Sequence, residues 1–200
     1  MMVILLLAEA KLSDLLHIII IDSQKYLYLE VIIMSFMEIN ISELSFNPFE
    51  KISKEWFLLT AGDENGFNTM TASWGFMGVM WGKNTLTTVI RPSRYTLEFV
   101  EKNDFFTISF FDENKRDSLQ FCGSHSGRDC DKAKEAGLTP LFIDNTTTFD
   151  EATLVFVCRK VYFQDMDKAF LSDDMKTWYK DDEPMHKQFI GEITKVYVKE

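Results

Sequence analysis

Two β-rich runs, residues 56–61 (WFLLTA) and 67–74 (FNTMTASW), stand on either side of Asp63-Glu64-Asn65-Gly66. Asn-Gly between such runs is the strongest short-range hairpin signal, because both residues tolerate the backbone angles of a tight turn. The pattern commits the chain to an antiparallel sheet from the outset. Residues 85–91 (TLTTVIR) form a third run, stopped by Pro92, which cannot donate to a sheet ladder.

Ser93 then reads as the N-cap of a helix over residues 94–102, with Tyr95 and Phe99 on one face and Asn103 at its end. Residues 105–111 (FFTISFF) predict a strand. Residues 113–122 predict a short helix closed by Gly123, and residues 131–136 another closed by Gly137. Two long late strands follow over residues 152–163 and 187–199. Strands punctuated by short helices, without regular βαβ alternation, predict a mainly β fold: an antiparallel barrel with helical inserts, not a doubly wound sheet.

Residues 1–36 read differently. Their apolar runs are broken by Glu9, Lys11, Asp14, His17, Asp22, Lys25 and Glu30, so none reaches the roughly 18 residues a membrane span needs. No basic stretch precedes them as in a secretory signal. We expect one domain over residues 37–200 behind an atypical extension of residues 1–36, with a true start near Met34 or Met37 as the favoured explanation of that extension.

The chain carries 31 acidic and 21 basic residues, a net charge of −10, and its basic residues form no dense block. Such a field repels a nucleic-acid backbone, so nucleic acid and membrane surfaces are set aside as partners. Cys122, Cys130 and Cys158 are too few for a disulfide framework, which points to a reducing, cytoplasmic setting. The Cys122, His125, Cys130 spacing lacks a fourth ligand for zinc. Eighteen Phe, six Tyr and four Trp suit an aromatic core or a pocket for a flat ligand.

Several chemistries fail on spacing. Gly75, Gly78 and Gly82 do not make the G-x-G-x-x-G of a Rossmann turn. The stretch from Gly78 to Asn84 is one residue short of a P-loop and has Asn where Ser or Thr should hold magnesium. Gly123-Ser124-His125-Ser126-Gly127 places His where a nucleophile elbow requires Ser.

What remains is Asn68-Thr69-Met70-Thr71-Ala72-Ser73-Trp74. At period two, Asn68, Met70, Ala72 and Trp74 face one way and Thr69, Thr71 and Ser73 the other. Small side chains there let the backbone approach a planar ring; the plainer alternative is a solvated Thr/Ser face. Arg91-Pro92-Ser93-Arg94-Tyr95-Thr96 puts two arginines and hydroxyls at a helix start, a phosphate-type site in an acidic protein or else a solvated surface. Residues 126–132, with Ser126, Gly127 and Lys132, offer a further cation or simply a loop entering a helix.

These segments, taken in order with residues 105–111 and the ending His186-Lys-Gln-Phe-Ile-Gly191-Glu192-Ile193, resemble the flavin reductase-like FMN-binding family across residues 37–200, with the flavoredoxin-type branch nearest. The resemblance implies a split β-barrel, a homodimer, FMN as cofactor and NADH or NADPH as co-substrate. It implies hydride or electron transfer from NAD(P)H through flavin to an acceptor. The alternative is an FMN-bound electron carrier serving a redox protein without exchanging free flavin. By position, Thr71, Ala72, Ser73 and Trp74 would line the flavin ring, Asn68 would be a further cofactor-binding residue, and Arg91, Arg94, Tyr95 and Thr96 would hold the phosphate and ribityl chain. Ser109 and Phe110 would sit at the barrel wall, Ser126, Gly127 and Lys132 would close the phosphate side, and His186 would reach the ring or the incoming nicotinamide as a proton donor. Its alternative is a structural histidine at a strand start.

Overall fold

The computed structural model describes residues 36–180 and 182–199; the sequence expectations for residues 1–35 lie outside them. The chain divides into two units, Met1–Met37 and Glu38–Glu200, and the second holds the fold and every candidate site residue. After a three-residue strand, β1 (Phe36–Glu38), the strands are β2 (Phe57–Asp63), β3 (Gly66–Ala72), β4 (Gly75–Met80), β5 (Lys83–Ile90), β6 (Phe105–Phe110), β7 (Pro140–Ile143), β8 (Thr146–Phe149), β9 (Leu154–Asp165) and β10 (Lys187–Lys199). The main sheet runs β3-β2-β6-β9-β10-β5-β4, every neighbour antiparallel.

Its two outer strands on that path, β3 and β4, are consecutive in the chain and joined only by Ser73-Trp74. Three virtual bonds keep the Cα atoms of Ala72 and Gly75 within about 11 Å. The sheet therefore curls until the end of β3 and the start of β4 come together at a seam, Ser73-Trp74, a barrel whose two outer strands do not pair with each other. The expected mainly β, antiparallel fold is what the chain adopts.

Alternation explains the core. Phe106, Ile108 and Phe110 of β6, Phe57, Leu59 and Ala61 of β2, and Phe156 and Cys158 of β9 join one buried cluster with Met70, Leu86, Ile90 and Phe189. The residues between them face a second buried layer, covered by the β7–β8 hairpin. There Thr107 Oγ1 donates to the Thr147 carbonyl at 2.6 Å, Ser109 Oγ and Thr148 Oγ1 share a 2.8 Å hydrogen bond, and Thr147 Oγ1 donates to the Gly62 carbonyl at 2.9 Å. Strands buried on both faces need their polar atoms paired, and these hydroxyls find partners in backbone carbonyls and in one another.

Local expectations hold unevenly. The β2–β3 hairpin forms, but its left-handed residue is Gly62 (φ 107°), while Asp63 Oδ1 accepts the Asn65 N–H at 2.9 Å to close the turn. The helix expected from Arg94 starts later, α1 (Thr96–Lys102), with Tyr95 and not Ser93 at its N-cap. The helix expected to close at Gly123 runs through it, α2 (Arg116–Ser124). A Cβ at Gly123 would lie 3.3 Å from Thr71 Cβ, so this glycine allows α2 to pack close to β3. The short α3 (Lys132–Glu135) is capped by Asp131 and followed by Gly137 at φ 63°, as anticipated. No helix among the described residues is long and apolar enough to cross a membrane.

Candidate functional site

The residues singled out by sequence separate into two neighbouring groups, both fed by β3 and by the turn between β5 and α1. The first lines a cleft of about 160 Å³ that includes Asn68, Arg94, Tyr95, Thr96, Ser126, Gly127 and Lys132. A second cleft of about 280 Å³ shares Asn68, Gly127 and Lys132 with it. Two cations stand here with little to neutralise them. Lys132 is only 5% exposed and donates to the Thr69 carbonyl at 2.6 Å; Arg94 Nη1 donates to the Gly123 carbonyl at 2.6 Å.

Burial, above all, pulls the Lys132 ammonium below its ordinary value, and burial followed by the charge of Arg91 does the same to Arg94. Both partners are neutral carbonyls, so an anion entering the cleft would relieve both groups. Tyr95 walls the cleft, edge-on to Phe99 with ring centroids 5.1 Å apart and with the Arg128 guanidinium 4.4 Å from its ring centre. Arg128 is itself bonded to Glu98.

The second group surrounds Trp74 at the seam. The chain between β9 and β10 folds back over it. Trp178 meets Trp74 edge-on at 5.9 Å, Tyr179 Oη lies 2.8 Å from His186 Nδ1, and Glu183 pairs with Arg91 at 2.8 Å. His186 is buried, and its ring lies 5.1 Å from that of Trp74. Burial and then the Arg91 charge lower the His186 pKa, while Glu183 opposes them. Ser73 and Trp74 also border an apolar cleft of about 430 Å³ with Phe49, Ile52, Phe76 and Met77.

Several expectations need correction. Arg91 does not join Arg94; it reaches the other way, to Glu183. The Thr71 hydroxyl is spent on the Leu119 carbonyl and that of Thr69 on Thr60, so the polar face of β3 is packed and not solvated. Thr71 and Ala72 remain half-buried along β3 between the two groups. Ser109 and Phe110 have no exposed surface: Ser109 is bonded to Thr148 and Phe110 belongs to the core, which takes both out of any ligand site.

Sequence reasoning misses four residues. His125 lines the phosphate-sized cleft, stacked on Phe121 at 4.0 Å. Trp178, Tyr179 and Glu183 belong to no motif; two adjacent large aromatics in an otherwise charged stretch are the available signal.

Known proteins share this fold. The family model described as "Flavin reductase like domain" matches residues 49–200. No curated protein matches the sequence. Among solved structures, flavoredoxin from Methanosarcina acetivorans is similar, with 23% identity and a TM-score of 0.59 over 82% of this chain and 76% of that one. Flavoredoxin of Desulfovibrio vulgaris (Miyazaki F) has 21% identity and a TM-score of 0.58, over 82% and 78%. An FMN-binding domain of flavin reductases-like enzyme from Shewanella baltica has 15% identity and a TM-score of 0.59, over 82% and 77%. At such identities the likeness speaks for the fold, and the family match covers most of the chain. The seamed antiparallel barrel, with its paired clefts along β3, thus belongs to the flavin reductase-like domain family.

Proposed function

We propose that this chain binds FMN and passes hydride or electrons from NADH or NADPH through it to an acceptor. The observation that carries the reading is the pair of cations, half-buried Arg94 and buried Lys132, facing one cleft with only backbone carbonyls as partners. They fit a phosphate, which accepts from both and restores the environment that burial denies them. The Shewanella baltica relative is an FMN-binding domain, which supports the same ligand here.

When bound, the flavin supplies the redox chemistry. The chain's part is to hold and to shield. Arg94, Lys132 and Thr96 anchor the phosphate end, with Ser126 and Gly127 closing that side and Tyr95 walling it. The residues from Thr71 to Trp74 flank the ring along β3. Trp74 and Trp178 restrict water at the ring end, and His186 keeps a proton at Nδ1 or Nε2 according to its contact with Tyr179. Arg91, paired with Glu183, presents charge where a nicotinamide dinucleotide enters.

The two flavoredoxins among the relatives favour a second reading, an FMN-retaining carrier that serves a redox protein. One experiment separates the two. Purified protein is scanned for the visible flavin band, then titrated without oxygen with NADH and with NADPH. Rapid bleaching, with exchange of added free flavin, supports the reductase. A yellow protein that bleaches slowly yet passes electrons to a small iron–sulfur protein supports the carrier. A colourless protein that takes up no FMN overturns both.

A homodimer completes the proposal. β4 ends the sheet path and carries Phe76 (53% exposed) and Val79 (74%), with Trp81 (63%) next to it. An open edge with this much apolar surface calls for a cover, and a second copy supplies it. A monomeric mass by light scattering would remove this part of the proposal.

A further inference from the structure

The Thr96 hydroxyl is the most constrained polar group in the phosphate-sized cleft. Thr96 is 1% exposed, and its Oγ1 accepts from Asn68 Nδ2 at 2.7 Å. Among the described residues it makes no other hydrogen bond. The amide cannot be turned round without loss, because the same nitrogen also faces the Thr69 carbonyl at 3.5 Å, and a carbonyl can only accept. A hydroxyl that accepts from a fixed amide must aim its own hydrogen elsewhere, here with no protein acceptor. A buried donor in that state is unfavourable until something in the cleft accepts from it.

Resting on the reading of this cleft as an FMN site, we infer that Asn68 is a positioning residue: it sets the Thr96 hydroxyl as a donor toward the flavin phosphate and does not itself hold the ligand. The polarity matches the ligand, since phosphate oxygens only accept. Gly127 is part of the device. A Cβ at Gly127 would come within 1.9 Å of Asn68 Oδ1 and 2.9 Å of its Cγ, so any side chain there pushes the amide off Thr96. Gly127 has an ordinary backbone, and this space alone accounts for the glycine. Lys132 supplies charge in the same cleft, and Asn68 supplies direction.

The test compares FMN with riboflavin, which lacks the phosphate, by fluorescence titration of the full chain. The unaltered protein is expected to prefer FMN by about tenfold or more, as charge-assisted hydrogen bonds give. Asn68→Ala and Thr96→Val should each cut that preference about tenfold while leaving riboflavin affinity within about twofold. The double variant should be no worse than either single one, because both remove the same interaction. Asn68→Asp keeps the size of the side chain but accepts from Thr96, so it should abolish the preference for FMN even if Asn68→Ala folds poorly.

Full additivity of Asn68→Ala and Thr96→Val overturns the inference, because Asn68 would then act on the ligand independently of Thr96. So does an Asn68→Asp protein that still prefers FMN. Equal affinity of the unaltered protein for the two flavins overturns the phosphate site itself, and this inference with it.

Discussion

The imidazole of His186 and the indole of Trp74 lie with ring centroids 5.1 Å apart and planes inclined by 33°, although they come from opposite ends of the domain. This contact buries His186 and brings its charge state under the control of Arg91 and Glu183. Burial and Arg91 lower the His186 pKa, so at a pH just below its ordinary value of 6.5 the unfolded chain binds the proton more readily than the folded one. Stability contributed by neutral His186 is present above that value and is lost as pH falls through it and on toward the depressed folded value. Arg91→Ala should raise the His186 pKa, and Glu183→Gln should lower it further. Titration of the His186 ring signals by NMR checks both directions; movement in the opposite sense would show that Arg91 and Glu183 do not set this environment.

Arg94→Ala should weaken FMN binding by about 1.5–3 kcal/mol, the range for a hydrogen bond to a charged group. Riboflavin binding should change far less. A fluorescence titration giving unchanged FMN affinity would locate the phosphate away from this cleft.

Ser109→Ala separates structure from ligand. It leaves Thr148 Oγ1 buried without its 2.8 Å partner, so it should cost about 1–3 kcal/mol in denaturant unfolding. FMN affinity should not move, since Ser109 has no surface to offer. A selective loss of flavin binding in this variant would reverse the assignment.

Gly191→Ala should be severely destabilising, by about 1–3 kcal/mol or more, because its Cβ would meet Phe106 Cζ at 2.6 Å and Cys158 Cβ at 2.7 Å inside the barrel. The midpoint of urea unfolding should fall with an unchanged slope. A midpoint equal to that of the unaltered protein would mean that β10 can move outward at no cost.

That last glycine shows how much a sequence can say without giving its reason. The ending from His186 to Ile193 is the most telling single motif, yet Gly191 answers to core packing, and Glu192 ties β10 to Arg159 and, at 3.1 Å, to Lys83. Only His186 of that motif reaches the candidate site. The barrel is legible because strand periodicity is local: residues 187–199 form β10 with the expected bounds.

What escapes the sequence depends on partners far along the chain. β4 resembles a failed P-loop because its glycines hide the alternation of a strand. The β7–β8 hairpin goes unnoticed because its turn uses Asp144 and Asn145, at φ 46° and 62°, in place of Asn-Gly. Arg91 and Arg94 look like one phosphate clamp, yet the turn after Pro92 sends them apart, and no local pattern announces Glu183 as the partner of Arg91. Local chemistry and the family resemblance together point to Asn68, Arg94, Thr96, Gly127 and Lys132 as site residues; the hydrogen bonds that explain them need the fold.

Ser73 and Trp74 are the clasp of the barrel as well as a wall of the aromatic cluster. A molecule resting on that indole therefore leans on both rims of the sheet at once. Letting go of it and letting the girdle part become a single event, so occupancy at Trp74 should slow amide exchange in β3 and β4 together, while the far side of the barrel, around β6 and β9, barely registers the guest.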